Sequence, residues 1–351
     1  MGRTNAWTSQ VDWQTGRWQP RSPSPGHSPW RPPLPRGILP KRPLTFFEVL
    51  DTGFRLLRFI PSLAIGAPLI VVTLGTLALT AAGTALTLTF LPFLADVMAD
   101  DEAMSGFALL AQLGSFVLGL LSLGFVHFLA GLLAPGAENS FGARRTTLTA
   151  AWRALTGRRL RLVGAALLIT GIDTVLLALL AGPAVAAGLL GAPIIGGVIG
   201  LLLLGVWVLA VVWLNLRLAF TGAAIAAEDA GIGGALARSW RLTGSGFWRT
   251  LGQLGLGYLL ANQLIQLVIS PFVFVVTIVL TAVLSTSGGD LAVMAAIAIT
   301  AGAVVLALTA VSSAVLYGYF SCLVCVSYFD ARMRSEGFDL VVIRTEEAAA
   351  S

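Results

Sequence analysis

Five polar side chains interrupt long apolar stretches of the sequence, where an ionisable group is unfavourable. A charged side chain at the centre of a bilayer costs on the order of 2.5–3.5 kcal/mol on insertion scales, so such a residue is a functional candidate. Asp173 lies near the middle of the apolar stretch 162–190. The candidate intramembrane polar site consists of Asp173, Asn262, Gln263, Gln266 and His127.

Two interpretations of this candidate site are open. Arranged around a pathway, the five residues would carry a small solute or a lipid across a membrane. Packed as a buried cluster, they would hold helices together, each interhelical hydrogen bond contributing roughly 0.6–2 kcal/mol. Asp173 has no cationic partner at its depth in the apolar stretches, which favours the structural interpretation.

A second group of candidates is charged and flanks the apolar stretches. We expect these residues to dock a cytoplasmic or membrane protein partner, or anionic lipid headgroups. The alternative is that they anchor the helices and stabilise helix ends. This cytoplasmic charge set consists of Glu48, Asp51, Arg55, Arg58, Asp330, Arg332, Arg334 and Glu336.

The sequence contains no arrangement typical of an active site or a metal site. Its only cysteines, Cys322 and Cys325, form a C-x-x-C within the last apolar stretch, and its only histidines are His27 and His127. A structural zinc site needs four ligands, so the cysteines are interpreted as small packing residues. We therefore predict a non-enzymatic protein without a cofactor or a metal.

The composition of the chain indicates that these residues lie on or beside membrane-spanning helices. The chain is 56% hydrophobic and 11% charged, against roughly 25% charged in soluble domains, with a mean hydropathy of +0.86. A helical span needs about 20 apolar residues. Six stretches meet this length: 61–94, 107–134, 162–190, 193–219, 250–285 and 291–329.

The charges orient the six spans. All 22 lysines and arginines fall on one side of a six-span topology, which the positive-inside rule assigns to the cytoplasm. The opposite loops contain only acidic charges, at Asp96, Asp100, Asp101, Glu102 and Asp290. We therefore predict a plasma-membrane protein with both termini in the cytoplasm. The net charge of +5 is interpreted as a means of attracting anionic lipid headgroups and not as a sign of nucleic-acid binding.

A degenerate repeat precedes the odd-numbered spans. Thr45 and Glu48 form a capping box at the start of an amphipathic stretch, and arginine- and aromatic-containing stretches also precede residues 162 and 250. The predicted fold is an all-α integral membrane protein. Its six transmembrane helices form three hairpins, each preceded by a cytoplasmic amphipathic interfacial helix.

The membrane domain, 45–336, is expected between two tails. Residues 1–44 are rich in proline and contain four tryptophans, so a disordered cytoplasmic tail is predicted, serving as a linker or as a ligand for a proline-recognising partner. Residues 337–351 are predicted to form a cytoplasmic C-terminal tail. Gly337 is expected to end the last helix, and a short extended segment is expected after it.

Two segments carry a resemblance to a known family. RGILPKRPLTFFEVLDTGFRLLR, residues 36–58, and YFDARMRSEGFDLVVIR, residues 328–344, resemble the two ends of an uncharacterised actinobacterial membrane protein family. That family looks related to the membrane domain attached to some glycerophosphoryl diester phosphodiesterases. The resemblance implies a six-span protein of unknown activity. The phosphodiesterase itself would require a separate domain with metal-binding carboxylates and a histidine pair.

These observations predict a scaffold or accessory protein that organises partners or lipids at the cytoplasmic face of the membrane. The alternative is a small-solute or lipid transporter that uses a mid-membrane polar layer around Asp173.

Overall fold

The computed structural model describes residues 11–12, 17–18, 37–89, 113–114, 116–120, 122–286 and 291–350. The chain divides into two units, Met1–Pro35 and Arg36–Ser351. In the first unit a short antiparallel pair is described, β1 (Val11–Asp12) and β2 (Arg17–Trp18). The other residues of the predicted tail up to residue 36 lie outside the described residues.

The described elements of the second unit are all helices, as the sequence predicts. In chain order they are α1 (Phe46–Phe59), α2 (Pro61–Ala64), α3 (Gly66–Thr89), α4 (Leu123–Asn139), a 3-10 turn (Ser140–Gly142), α5 (Leu148–Ala154), α6 (Arg159–Leu189), α7 (Pro193–Arg217), α8 (Thr221–Glu228), α9 (Ile232–Gly244), α10 (Phe247–Thr286), α11 (Leu291–Glu336) and α12 (Phe338–Ala350).

The lengths and composition of these helices make the chain a membrane-embedded, multi-pass protein. Within the described ranges, five helices are long and apolar enough to cross a membrane, and α1 with Pro61–Gly75 is a sixth candidate, bent by 99°. Five of the six predicted spans thus have a counterpart among these helices, and the first depends on the bent pair. The five are Phe116–Gly142, Arg159–Ala187, Ile194–Glu228, Phe247–Val283 and Thr300–Glu336. The acidic loops used in the topology argument lie outside the described residues.

The fourth span is longer than the sequence predicts. Its predicted end is residue 219, but the helical course continues through α8 to Glu228. Residues 221–226 of α8 are small or aliphatic. Small side chains let neighbouring helices approach closely, and all six residues are buried. Arg217 is the last residue of α7, and a turn at residues 218–220 separates it from α8.

The hydrophobic core lies at one end of the helical bundle, around the C-terminal part of α11. Residues 321–330 are all buried, so other elements enclose this part of the helix on every face. Here α1, α2, α4, α8 and α10 surround it. Between residues 301 and 313 the same helix is only exposed or half-buried. Packing is therefore tight at residues 321–330 and looser at residues 301–313.

Residues 37–44 are ordered, which corrects the predicted boundary of the disordered tail at residue 44. Leu39 and Leu44 are buried, and Ile38 N donates to Ser140 O at 2.9 Å. A Cβ on Gly37 would overlap the carbonyl of Phe141. The prolines prevent regular structure here, but burial of the apolar side chains and contacts to other elements fix the segment.

The segment after Gly337 is helical, which corrects the expected extended segment. Gly337 has φ +63° and ends α11 as predicted, but α12 begins at the next residue. The Phe338 ring stacks on Phe329, with centroids 5.7 Å apart. This aromatic contact holds the start of α12 against α11.

Candidate functional site

Asp173 lies in a buried hydrogen-bonded chain that connects three helices. The residue has no exposed surface, and its Oδ2 accepts a hydrogen bond from Asn215 Nδ2 at 2.8 Å. Asn215 Oδ1 lies 3.1 Å from His127 Nε2. The chain therefore runs from α6 through α7 to α4.

The α6–α7 hairpin brings Asp173 and Asn215 together. Gly191, at φ +81°, turns the chain between the two helices, and Pro193 starts α7, where its missing N–H removes no helical hydrogen bond. In the hairpin, the indole of the fully buried Trp207 donates to the backbone oxygen of Asp173 at 3.0 Å. This bond and the Asn215 bond fix the register of α7 against α6.

His127 is positioned by a close crossing of α4 and α8. A Cβ added to Gly222 would overlap the backbone oxygen of His127, and one added to Gly131 would press against Leu162 and the Gly222 carbonyl. Only hydrogen atoms fit at these two positions, so the helix backbones lie almost in contact. The imidazole is thereby held beside α7, where Asn215 meets it.

The amides of α10 do not belong to this cluster, which corrects the predicted polar layer. Gln263 and Gln266 are exposed and Asn262 is half-buried. The inner face of α10 carries Leu254 and Ala261, and at 100° per residue Gln263 and Gln266 fall on its outer side. Of the five predicted site residues, the structure joins only Asp173 and His127, through Asn215.

Asn215 is the residue whose role the sequence does not predict. Its position in the fourth apolar stretch marks it as unusual, but its place near Arg217 suggests a span end. The structure shows instead that Nδ2 donates to both Asp173 Oδ2 and Val211 O, the latter at 3.0 Å. Because both amide hydrogens are used, Oδ1 accepts the His127 hydrogen bond and Nε2 of that ring carries the proton.

The cytoplasmic charge set separates into several clusters. One surrounds Asp330, whose side chain is 3% exposed and accepts from Arg249 at 3.2 Å and Arg334 at 3.0 Å. Leu44 N donates to Asp330 Oδ1 at 2.7 Å, and Arg249 Nη2 donates to Leu44 O at 2.6 Å. Arg334 also donates to Leu44 O. This cluster fastens the N-terminal segment to α11.

A second cluster joins α8, α9 and α11. Glu228 accepts from Arg238 at 2.9 Å and from the Tyr328 hydroxyl at 2.5 Å. Arg238 also pairs with Glu336, which accepts from Arg332 at 3.3 Å. Two members of the predicted set, Arg332 and Glu336, therefore form ion pairs within the protein that connect its helices. Arg238 and Arg332 both take part in these ion pairs.

The start of α1 carries a third set of contacts, at the solvent-exposed side. Glu48 accepts from Arg42 at 2.7 Å and from Thr45 N at 2.7 Å, so the predicted capping box is present. The hydrogen bond from Arg42 and those from Thr45 lower the pKa of Glu48 to about 2. Asp51 and Arg55 are only 4.0 Å apart and exposed.

Six arginines of the described chain are exposed and take part in no ion pair: Arg58, Arg144, Arg145, Arg153, Arg241 and Arg344. Of these, Arg153 and Arg241 follow Trp152 and Trp240 directly in the sequence, and the Arg145 guanidinium lies 5.4 Å from the Phe59 ring centroid. Trp152 and Trp240 are about two-fifths exposed, and Trp248 is 80% exposed. The Arg159 guanidinium lies 4.4 Å from the Trp152 ring centroid. Exposed indoles beside cations are typical of the membrane–water interface.

Arg217 is enclosed by rings instead of carboxylates. Its guanidinium lies 5.8 Å from Trp213, 5.2 Å from Trp240 and 5.0 Å from Phe247. Its backbone oxygen accepts from Ser239 Oγ at 2.8 Å. Cation–π attraction and this hydrogen bond hold α9 against α7.

The cysteines are buried free thiols, which agrees with their predicted packing role. Cys325 Sγ contacts Ala130 O at 3.1 Å. In the residues that the structure describes, no group of three or more His, Cys, Asp or Glu side chains could hold a metal ion.

The two segments that carry the family resemblance lie against each other, through Leu44 and Asp330. No family model, curated protein or solved structure matches the chain. The resemblance itself therefore stays a prediction.

Proposed function

We propose that this chain is a non-enzymatic scaffold or accessory protein of the plasma membrane. Its cytoplasmic face would bind anionic lipid headgroups and so organise lipids or a partner protein there. The observation that carries the proposal is the group of exposed, unpaired arginines beside exposed tryptophans on α5, on α9 and next to them. A basic residue near an anionic bilayer surface contributes about 1 kcal/mol to attraction.

The proposal includes an arrangement of the helices in the membrane. Helices α1, α5 and α9 would lie at headgroup level on the cytoplasmic side, each leading into a two-span hairpin. Trp152 on α5 and Trp240 on α9 support this placement, because indole rings favour the interface. Both termini would be cytoplasmic, as the distribution of basic residues indicates.

Within the spans, the polar groups favour a structural role over transport. Asp173, Asn215 and His127 bind one another, while Gln263 and Gln266 face outward. The mid-membrane layer that motivated the transporter alternative is therefore incomplete. The resemblance of segments 36–58 and 328–344 to an uncharacterised membrane protein family of unknown activity is compatible with the scaffold proposal.

Lipid retention by the purified full chain tests the proposal. Protein in nanodiscs containing phosphatidylglycerol and phosphatidylcholine is released into detergent, and bound lipids are counted by native mass spectrometry. Replacing Arg144, Arg145, Arg153 and Arg241 by alanine should reduce phosphatidylglycerol enrichment by about threefold or more.

The matched control replaces the same four arginines by lysine and should retain the enrichment, because the charge is kept. Equal enrichment in the alanine variant and the parent protein would overturn the proposal. A loss in the lysine variant as large as in the alanine variant would show that charge is not what binds the lipid.

A further inference from the structure

A cavity of about 350 Å³ lies between α4, α7, α10 and α11. Its walls extend over about two helical turns, from Leu251 to Tyr258 on α10 and from Tyr317 to Val324 on α11. The volume is at the lower end of the range of ligand pockets, about 300–1,000 Å³. The cavity is partly open, and Tyr258 in its wall is 36% exposed.

The wall of the cavity is apolar and carries no formal charge. Its lining contains no Asp, Glu, Lys or Arg side chain among the described residues. A charged headgroup placed there would lose its hydration without gaining a counter-ion, which is strongly unfavourable. The lining therefore excludes ionic ligands and suits a hydrocarbon chain.

One end of the cavity is polar, because His127 and Asn215 belong to its lining. The His127 ring is 3% exposed, and its Nδ1 has no hydrogen-bond partner among the described residues. With Nε2 donating to Asn215 Oδ1, Nδ1 is the ring nitrogen that can accept a hydrogen bond. A buried acceptor without a partner is unfavourable, and a hydroxyl donor would satisfy it.

Two tyrosines add polar groups to the same wall. The Tyr317 hydroxyl is paired with Ser122 Oγ at 2.7 Å. Tyr258 also lines the cavity, and its hydroxyl has no hydrogen-bond partner in the described part of the chain. The polar groups of the lining are thus all without formal charge, which matches a small hydroxyl-bearing headgroup.

We propose that this cavity binds a neutral lipid with a free hydroxyl headgroup, of the diacylglycerol type, which enters from the bilayer. The hydroxyl donates to His127 Nδ1 and an acyl chain occupies the apolar part. This site lies within the spans and is separate from the surface arginines proposed to bind anionic headgroups. Either proposal can fail without the other.

The test is photo-crosslinking of the full chain in phosphatidylcholine vesicles. The probe is a diacylglycerol with a diazirine in its acyl chain. Two comparison probes are the same molecule with its hydroxyl methylated and the corresponding phosphatidylglycerol. Adducts mapped by mass spectrometry should concentrate on peptides 251–258 and 317–324. The methylated and anionic probes should label these peptides about fivefold less, the factor expected for one lost hydrogen bond.

Cavity-filling variants complete the test. A Cβ on Gly255 or Gly119 meets no other atom within 4 Å, and both residues line the cavity, so Gly255→Leu and Gly119→Leu add side-chain volume at its wall with no clash at Cβ. Both should reduce diacylglycerol labelling by about fivefold or more. Gly171→Leu is the matched control, because Gly171 is also unobstructed and lies on exposed α6 surface.

Each outcome decides the proposal. The proposal is overturned if the free diacylglycerol does not label the protein, or if its adducts spread over all the spans. It is also overturned if labelling is unchanged in both filling variants. Equal labelling by the methylated or anionic probe would overturn the assignment of a neutral hydroxyl headgroup.

Discussion

The backbone N–H of Leu44 donates to the buried carboxylate of Asp330 at 2.7 Å, across 286 positions of sequence. Arg249 and Arg334 donate both to this carboxylate and to the Leu44 carbonyl. A single residue of the N-terminal segment is thus held through its N–H and its C=O. The segment contributes no helix, yet it closes one end of the core.

Removing the charge of Asp330 should loosen this attachment. Asp330→Asn keeps the size and one acceptor but leaves Arg249 and Arg334 without a counter-ion. We expect destabilisation of about 1–3 kcal/mol, less than for a fully buried pair because both arginines are partly exposed. Unfolding by SDS in mixed micelles measures the change, and amide hydrogen exchange should increase across residues 37–45.

Asp51→Asn is the control for this prediction. It makes the same chemical change at a carboxylate that is 68% exposed and 4.0 Å from Arg55, and should alter stability by less than about 0.5 kcal/mol. Equal effects of the two substitutions would contradict the structural role of Asp330.

The hydrogen-bonded chain through Asn215 should stabilise the spans. Asn215→Leu removes the partners of Asp173 Oδ2 and His127 Nε2, and we expect a loss of about 1–2 kcal/mol. Gln266→Leu, on the exposed face of α10, should change stability little. The same SDS unfolding assay compares them. If Gln266→Leu were the more damaging variant, the assignment of the amides to the outer face would be wrong.

The α4–α8 crossing should tolerate no side chain at Gly222. A Cβ there overlaps a backbone oxygen of α4, which cannot rotate away, so Gly222→Ala should destabilise the protein by at least about 2 kcal/mol. Gly233→Ala, at an exposed position of α9 with no atom near its Cβ, should instead stabilise the helix by about 0.5–1 kcal/mol. Thermal unfolding in detergent should therefore shift in opposite directions for the two variants.

The first turn of α1 should become less stable in acid. Because the Arg42 and Thr45 hydrogen bonds lower the pKa of Glu48 to about 2, the folded state favours the ionised carboxylate. This contribution is present above the ordinary pKa of about 4.3 and is lost as pH falls from there towards 2. Carboxyl NMR of selectively labelled Glu48 should show the low pKa in the parent protein. Arg42→Gln should raise the pKa, and no change would contradict the pairing.

Several elements could be predicted because they depend on local pattern. The apolar stretches predict the helices, and the Thr45–Glu48 spacing predicts the capping box that the structure contains. The end of α11 at Gly337 follows from its positive φ. The packing role of Cys322 and Cys325 follows from their place in an apolar stretch without other ligands.

Other features were not predictable because they depend on which helix faces meet. The predicted polar layer rests on the depth of each residue along its span, and depth does not specify how each helix is rotated about its axis. Gln263 and Gln266 share the depth of a polar site but point away from the core, whereas Asn215 points inward. Residues 37–44 were predicted to be disordered because local pattern contains no sign of Asp330 or Ser140, their distant partners.

By itself, the sequence determined that this is a multi-pass helical membrane protein, because the length and apolarity of a span are local properties of the chain. Only the tertiary structure decided that Asp173 binds Asn215 and that α8 extends the fourth span. It also decided that a neutral cavity lies beside His127. These features arise from the rotation and close approach of helices, which are set by packing across hundreds of residues and by glycines whose neighbours lie on other helices.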